Sequence, residues 1–289
     1  FVRSIPISGF EAWGSICREV QEKIMNTHGG NELLKEIAMF GFSARRGADP
    51  IRDKVEALAK EQIDIRVADS LEENLRILKE LFKDVDMLQL RFFQSSRGKT
   101  RKYFIAYCEG LADLNMINDH VIKPLQLSPA KGSGQELADN LVNCVLMVNG
   151  VERTGRYQKI TESITYGDTI LFAEGMGEAL ILSTKKFETR AITEPDSEKN
   201  LNGPREGFTE SLTTNLSMIQ RKVRSNDLKT KYYTFGKKTK TRAGICYIDS
   251  VVNKQILREL YRRLDKIDID GVLDTNYITE LIKDAPLSP

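Results

Sequence analysis

The sequence predicts an α/β fold: two lobes built on a repeated helix-strand-strand-helix unit with mixed sheets, plus an N-terminal helical extension. Three observations carry this. Two stretches match each other in order, the hydrophobic period within each switches from helical to strand-like, and a segment rich in Pro and Gly separates them. These features divide the 289 residues into an extension at 1–66, a first α/β subdomain at 67–194, a linker at 195–207 and a second α/β subdomain at 208–289.

In the extension, Trp13, Ile16, Cys17, Val20 and Ile24 recur at three- and four-residue spacings, so a helix is expected from Phe10 to Met25. Helices over Asn31 to Phe40 and Asp49 to Gln62 follow, with Asn31 and Asp49 as N-caps and Pro50 at the first helical position. From Leu71 the repeat begins. Asn74-Leu75 matches Asn215-Leu216, Leu78 matches Ile219, Asp86 matches Asp227, and Lys99-Thr100-Arg101 matches Lys240-Thr241-Arg242 at one offset. After a one-residue slip Ala106-Tyr107 aligns with Cys246-Tyr247 and Leu125 with Leu264.

Each copy starts with an amphipathic helix, carrying Leu71, Leu75, Leu78 and Phe82 in one and Phe208, Leu212, Leu216, Ile219 and Val223 in the other. Strands are expected at Met87 to Phe93 and Lys102 to Cys108, and again at Leu228 to Phe235 and Ala243 to Ile248. Between the copies come a helix or buried strand near Leu141 to Val148 and a helix near Tyr157 to Thr165. Strands Ile170 to Glu174 and Ala179 to Ser183 follow, turning at Gly175-Met176-Gly177.

Composition narrows the function. With 40% hydrophobic and 29% charged residues the chain is a folded, soluble body, and 43 basic against 41 acidic residues leave too little excess charge for a dedicated nucleic-acid binder. Four dispersed cysteines, Cys17, Cys108, Cys144 and Cys246, suggest free thiols in a reducing compartment. Only His28 and His120 are available to any histidine chemistry. No run reaches the roughly 20 apolar residues of a membrane-spanning helix. The start at Phe1, without Met or signal peptide, reads as a fragment of something longer.

The motifs with chemical promise fail on spacing. Gly98-Lys99-Thr100 and Gly236-Lys237-Lys238-Thr239 lack the first glycine of a phosphate loop, so both read as hairpin turns. Asp265, Asp268, Asp270 and Gly271 resemble part of a calcium loop, yet Lys266 and Tyr277 would occupy its first and last ligand positions. Gly175-x-Gly177 is not a dinucleotide fingerprint, because Leu180 replaces the third glycine. No nucleophile, general base or metal cluster survives, which argues against an enzyme and for no metal or cofactor. The basic hairpin tips, Arg97, Lys99, Arg101 and Lys102 in one copy and Lys237, Lys238, Lys240 and Arg242 in the other, fit either an acidic partner or solvated turns that guard sheet edges.

One resemblance is specific. Arg190-Ala191-Ile192-Thr193-Glu194-Pro195, then Gly203-Pro204-Arg205-Glu206-Gly207-Phe208-Thr209-Glu210-Ser211-Leu212 and Asn215-Leu216, resemble the A subunits of bacterial spore germinant receptors, the GerA family. The likeness runs from Asn74 through Gly236-Lys237-Lys238-Thr239-Lys240-Thr241 to Tyr277-Ile278-x-Glu280-Leu281-Ile282. It implies the soluble N-terminal domain of a receptor of the spore inner membrane, lying on the cytoplasmic, spore-core side and assembled with B and C subunits. A homo-oligomer in the full-length receptor is implied as well, with the membrane reached through regions outside this chain. It also implies two α/β subdomains similar in fold to solute-binding proteins.

Two roles follow from the resemblance: receptor assembly and transduction of the nutrient signal, or direct binding of a small-molecule germinant, an amino acid or sugar, in the cleft between the lobes. The linker has two readings too. Arg190, Glu194, Arg205, Glu206 and Glu210 form a network of charge pairs at a hinge, or Pro195, Gly203, Pro204 and Gly207 only set the backbone path. Asn215 joins these candidates as part of the matched run.

Overall fold

The computed structural model describes residues 65–96, 100–128, 131–186 and 207–284. The expected helices at Phe10–Met25, Asn31–Phe40 and Asp49–Gln62 lie outside them. All described residues belong to one unit spanning Asp49–Pro289.

Helix α1 (Leu71–Leu81) buries Leu71, Ile77, Leu78 and Leu81, with Glu72 and Glu73 at its positive end and Lys79 at its negative end. Strands β1 (Leu88–Gln94) and β2 (Lys102–Cys108) form an antiparallel hairpin. A helical run α2 follows, made of Leu114–Met116, a π-helical stretch Ile117–Ile122 and Lys123–Leu127. Asp113 caps it by accepting from the N–H groups of Asn115 and Met116 at 3.0 and 3.3 Å. Helix α3 (Gly134–Asn140) runs into the π-helical Leu141–Val145, which settles the choice left open there in favour of helix. Then come β3 (Val151–Thr154), α4 (Tyr157–Tyr166), β4 (Thr169–Ala173) and β5 (Ala179–Leu182). Gly167 ends α4 at φ 104°, and a Cβ there would stand 3.1 Å from the carbonyl oxygen of Leu111, so glycine is required twice over.

These five strands make one sheet in the order β1-β2-β4-β5-β3. One face packs Phe104, Ala106, Ile170, Phe172 and Ile181 against α1 and α4, and the other packs Tyr103, Ile105, Leu171, Leu180 and Leu182 against α2 and α3. Every residue of β4 is buried, as expected of a strand covered on both faces.

The second repeat supplies α5 (Leu212–Lys222), β6 (Leu228–Phe235), β7 (Thr241–Ile248), α6 (Lys254–Leu264) and α7 (Thr275–Ile282). Its helix, strand, strand, helix order is that of α1, β1, β2 and α2. The hairpin registers coincide too. Leu88 faces Cys108 as Leu228 faces Ile248, and Gln94 faces Lys102 as Thr234 faces Arg242. The one-residue slip therefore falls between the first helix and the first strand, not after the hairpin tip as the sequence matches suggest. Asp86 and Asp227 are thus not equivalent. In place of the expected mixture of strand directions, both sheets are antiparallel, and among the described residues parallel pairing is confined to one isolated bridge, Val85 with Thr230.

Candidate functional site at the junction of the repeats

The turn between α1 and β1 lies along the outer edge of β6. Thr230 N–H donates to the Asp84 carbonyl at 3.0 Å, and Asp86 N–H donates back to the Thr230 carbonyl at 2.8 Å. The Asp86 carboxylate then accepts from Tyr232 N–H at 2.7 Å. Asp84 adopts φ 58°, a left-handed conformation that Asp tolerates better than most residues and that turns the chain onto this edge. A short strap of the first repeat thus extends the sheet of the second. Asn226 adds a bond from its amide to the Leu81 carbonyl at 3.3 Å.

Side chains close the rest of the junction. Leu216 of α5 is buried in the same cluster as Ile77, Phe104 and Tyr157, so the two repeats share a core. Gly110, at φ 79° just after β2, lets α5 approach; a Cβ there would lie 2.8 Å from Thr213 Cγ2 and 3.2 Å from the Thr213 carbonyl oxygen. The Arg242 guanidinium sits 4.6 Å from the Tyr232 ring centroid, and the Tyr232 hydroxyl lies 3.5 Å from Glu109. Burial, reinforced by Glu109, raises the Tyr232 phenol well above its ordinary range. At the far side, the Tyr166 ring is met by Lys185 at 4.3 Å and by Arg224 of the second repeat at 4.6 Å.

Of the residues singled out from sequence, Asn215 has the clearest role. Its side-chain oxygen accepts from Thr209 N–H, and its amide donates to the Thr209 carbonyl, both at 2.7 Å. Asn74 does the same six residues back, accepting from Ala68 N–H at 3.0 Å and donating to the Ala68 carbonyl at 2.7 Å. Each repeat thus pins its incoming chain to its first helix with one asparagine. Glu210 is exposed next to Ser211, the N-cap of α5. Arg190, Glu194, Pro195, Gly203, Pro204, Arg205 and Glu206 lie outside the described residues, as do Arg97 and Lys99.

The basic tips are more occupied than their charge suggests. Arg101 reaches the carbonyls of Glu174 at 2.9 Å and Gly132 at 2.7 Å, bracing loops of its own repeat. Lys237 and Lys238 pair with Asp268 at 2.6 Å and Asp270 at 3.5 Å, the carboxylates that imitate a calcium loop in the sequence. Lys240 is exposed at φ 48°. Among the described residues no group of three or more His, Cys, Asp or Glu is placed to hold a metal ion.

A groove of about 1030 Å³ lies within the first repeat. Leu71, Phe92, Phe93, Arg101, Tyr103 and Glu174 help to line it. Burial pushes the Tyr103 phenol up to about 12 against the opposing charge of Arg101.

The junction escapes sequence reading because it is made of main-chain bonds, a glycine that lets α5 approach and side chains that meet only through tertiary packing. The available signals were Gly110 directly after a strand and Asp86 just before one.

Comparisons with known proteins agree with this architecture. The sequence pattern of the family described as Bacillus/Clostridium GerA spore germination protein matches residues 76–289. The chain is 34% identical over 243 residues to the uncharacterized membrane protein YfkQ of Bacillus subtilis, covering 82% of this chain and 46% of that protein. It is 36% identical over 180 residues to spore germination protein KA of the same organism, covering 62% and 33%. The chain thus spans half or less of the length of these relatives. In structure it is similar to the crystal structure of the N-terminal domain of the A subunit of the Bacillus megaterium spore germinant receptor GerK3. The TM-score is 0.57 and the identity 26%, over 78% of this chain and 83% of that one.

Proposed function

The chain belongs to the GerA family of spore germination proteins, and on that premise we propose that it is the N-terminal domain of a germinant receptor A subunit acting in receptor assembly and in transduction of the nutrient signal. In this reading it works with B and C subunits at the spore inner membrane, from the spore-core side, and as a homo-oligomer in the full-length receptor. Among the described residues no helix is long and apolar enough to cross a membrane, so the reading assigns the membrane to other parts of the receptor.

The observation that supports transduction over direct germinant binding is the filled junction. Backbone bonds from Asp84 and Asp86 to Thr230, the Tyr232 clasp and the shared core at Leu216 occupy the contact where a ligand cleft between lobes would open. Packed elements with few alternative arrangements pass a displacement on as a unit. We read residues 67–194 and 208–289 as the two subdomains, tied covalently through 195–207, and assign the chain no catalytic role.

Calorimetric titration of the chain with a panel of amino acids and sugars tests the choice, alone and with the B subunit present. Heat only when the B subunit is present is the expected result. Saturable binding of one nutrient to this chain alone would replace transduction with direct recognition.

A further inference from the structure

The far side of the junction places two cations on one ring. Lys185 Nζ and the Arg224 guanidinium lie 4.3 and 4.6 Å from the centre of the Tyr166 ring, and each contact is favourable by itself. Both distances run to the same centre, so the two charges stand inside the Debye length of about 10 Å at 0.1 M salt and repel each other unless one is neutralised.

The neutralising group is Asp168. This residue is 7% exposed, and Lys185 Nζ lies 3.2 Å from its Oδ1 and donates to its Oδ2 at 3.3 Å. Among the described residues the carboxylate accepts no other hydrogen bond, and Lys185 pairs with no other acid. The other charges facing it are Glu152 of β3 and Lys159 of α4, which pair with each other at 3.5 Å and act on Asp168 in opposite senses. Burial raises the Asp168 carboxyl above its ordinary range against the pull of Lys185.

The backbone holds three of these four groups in place. Gly167, at φ 104°, sets Tyr166 and Asp168 on either side of one tight turn, and a Cβ there would stand 3.3 Å from the Lys185 Cβ. The buried hydroxyls of Thr169 and Thr184, 2.6 Å apart, tie the residue after Asp168 to the residue before Lys185. Lys186 N–H then donates to the Leu111 carbonyl at 2.8 Å. Arg224 comes from the second repeat and is exposed; besides the ring contact, its Nε–H donates to the Arg221 carbonyl at 3.2 Å. Arg224 is therefore the group able to leave.

We infer that the far side of the junction is a charge-sensitive latch. With Asp168 ionised, Arg224 of the second repeat rests on Tyr166 of the first; with Asp168 protonated, the unneutralised Lys185 drives Arg224 off the ring. The latch deepens the transduction reading and rests on it only for its biological role, because the contact itself is measured without any germination assay.

NMR of the Arg224 side chain in the chain of residues 1–289 tests this, with Tyr166→Leu supplying the resonances of an arginine away from the ring. As pH falls through the titration of Asp168, read at its own carboxyl carbon, the Arg224 resonances should lose their ring-current displacement and reach the Tyr166→Leu values. Asp168→Asn should lose the displacement at neutral pH, and adding Lys185→Met, which removes the second cation, should restore it. Displacement that persists through the Asp168 titration, or that follows the titration of Glu152 instead, overturns the latch. So does a loss in Asp168→Asn that Lys185→Met fails to restore. Where a variant does not fold, the titration of the unaltered chain decides.

Discussion

Replacing Asn74 by Ala should cost more than replacing its counterpart Asn215, because the first clasp carries an extra partner. Asn74 is 2% exposed and holds three bonds: Ala68 N–H at 3.0 Å, the Ala68 carbonyl at 2.7 Å and the Tyr157 hydroxyl at 2.7 Å. Tyr157 is fully buried, so once the side-chain acceptor goes its hydroxyl is left with only the longer bond to the Asn74 main-chain carbonyl at 3.3 Å. Two lost bonds at about 1 kcal/mol each, with the Tyr157 hydroxyl reduced to its longer bond in a buried site, give about 2–4 kcal/mol for Asn74→Ala. Asn215 and Thr209 are both partly exposed, and water can replace their bonds, so Asn215→Ala should cost about 1–2 kcal/mol. At about 2–4 °C per kcal/mol for a chain near this size, the melting temperature should fall about twice as far for the first variant. Thermal and urea unfolding measure both. Tyr157→Phe provides the control: made in the Asn74→Ala background it removes the hydroxyl left with its longer bond alone and should recover part of the loss. Equal costs for the two asparagines, or no recovery by Tyr157→Phe, would refute the reasoning.

Two further outcomes follow from the same packing. Gly110→Ala places a Cβ against Thr213 at a left-handed φ, which costs about 1–2 kcal/mol for the backbone alone; Thr213→Ser, which lacks the opposing methyl, should relieve the steric share in unfolding measurements. Among the described cysteines, burial pushes the Cys108 thiol up to about 12 while Cys144 is exposed, so timed alkylation with mass spectrometry should label Cys144 in the folded protein and Cys108 only after unfolding.

Much of the fold is legible because hydrophobic spacing is a local signal. Lys102–Cys108 and Leu228–Phe235 are strands at the residues expected, and the helix expected near Tyr157 to Thr165 is α4. Short or polar elements are harder to see. Val151–Thr154 is a four-residue edge strand of mixed character, and Gly134–Asn140 opens on glycine without a side-chain cap, so neither announces itself. The slip lies earlier than the sequence suggests because the identity of Lys99-Thr100-Arg101 with Lys240-Thr241-Arg242, beside that of Asp86 with Asp227, outweighs a register that only hydrogen bonding reveals. The site divides the same way. Asn215 was picked out by a run of matched residues, yet its work, a clasp on Thr209, depends on a backbone approach that no spacing rule encodes. Lys237 and Lys238 looked like a free basic tip because the chain's return through Asp268 and Asp270 is a tertiary contact.

The central claim is that the junction of the two repeats passes the nutrient signal on. Asp86 is exposed, and its carboxylate holds Tyr232 N–H at 2.7 Å, so Asp86→Ala removes one clasp across the junction at a cost near 1 kcal/mol and leaves both repeats folded. Spores carrying Asp86→Ala, with receptor levels shown to be normal, should germinate more slowly on nutrient while responding normally to triggers that bypass the receptor. An unchanged rate of nutrient-triggered germination would contradict the claim.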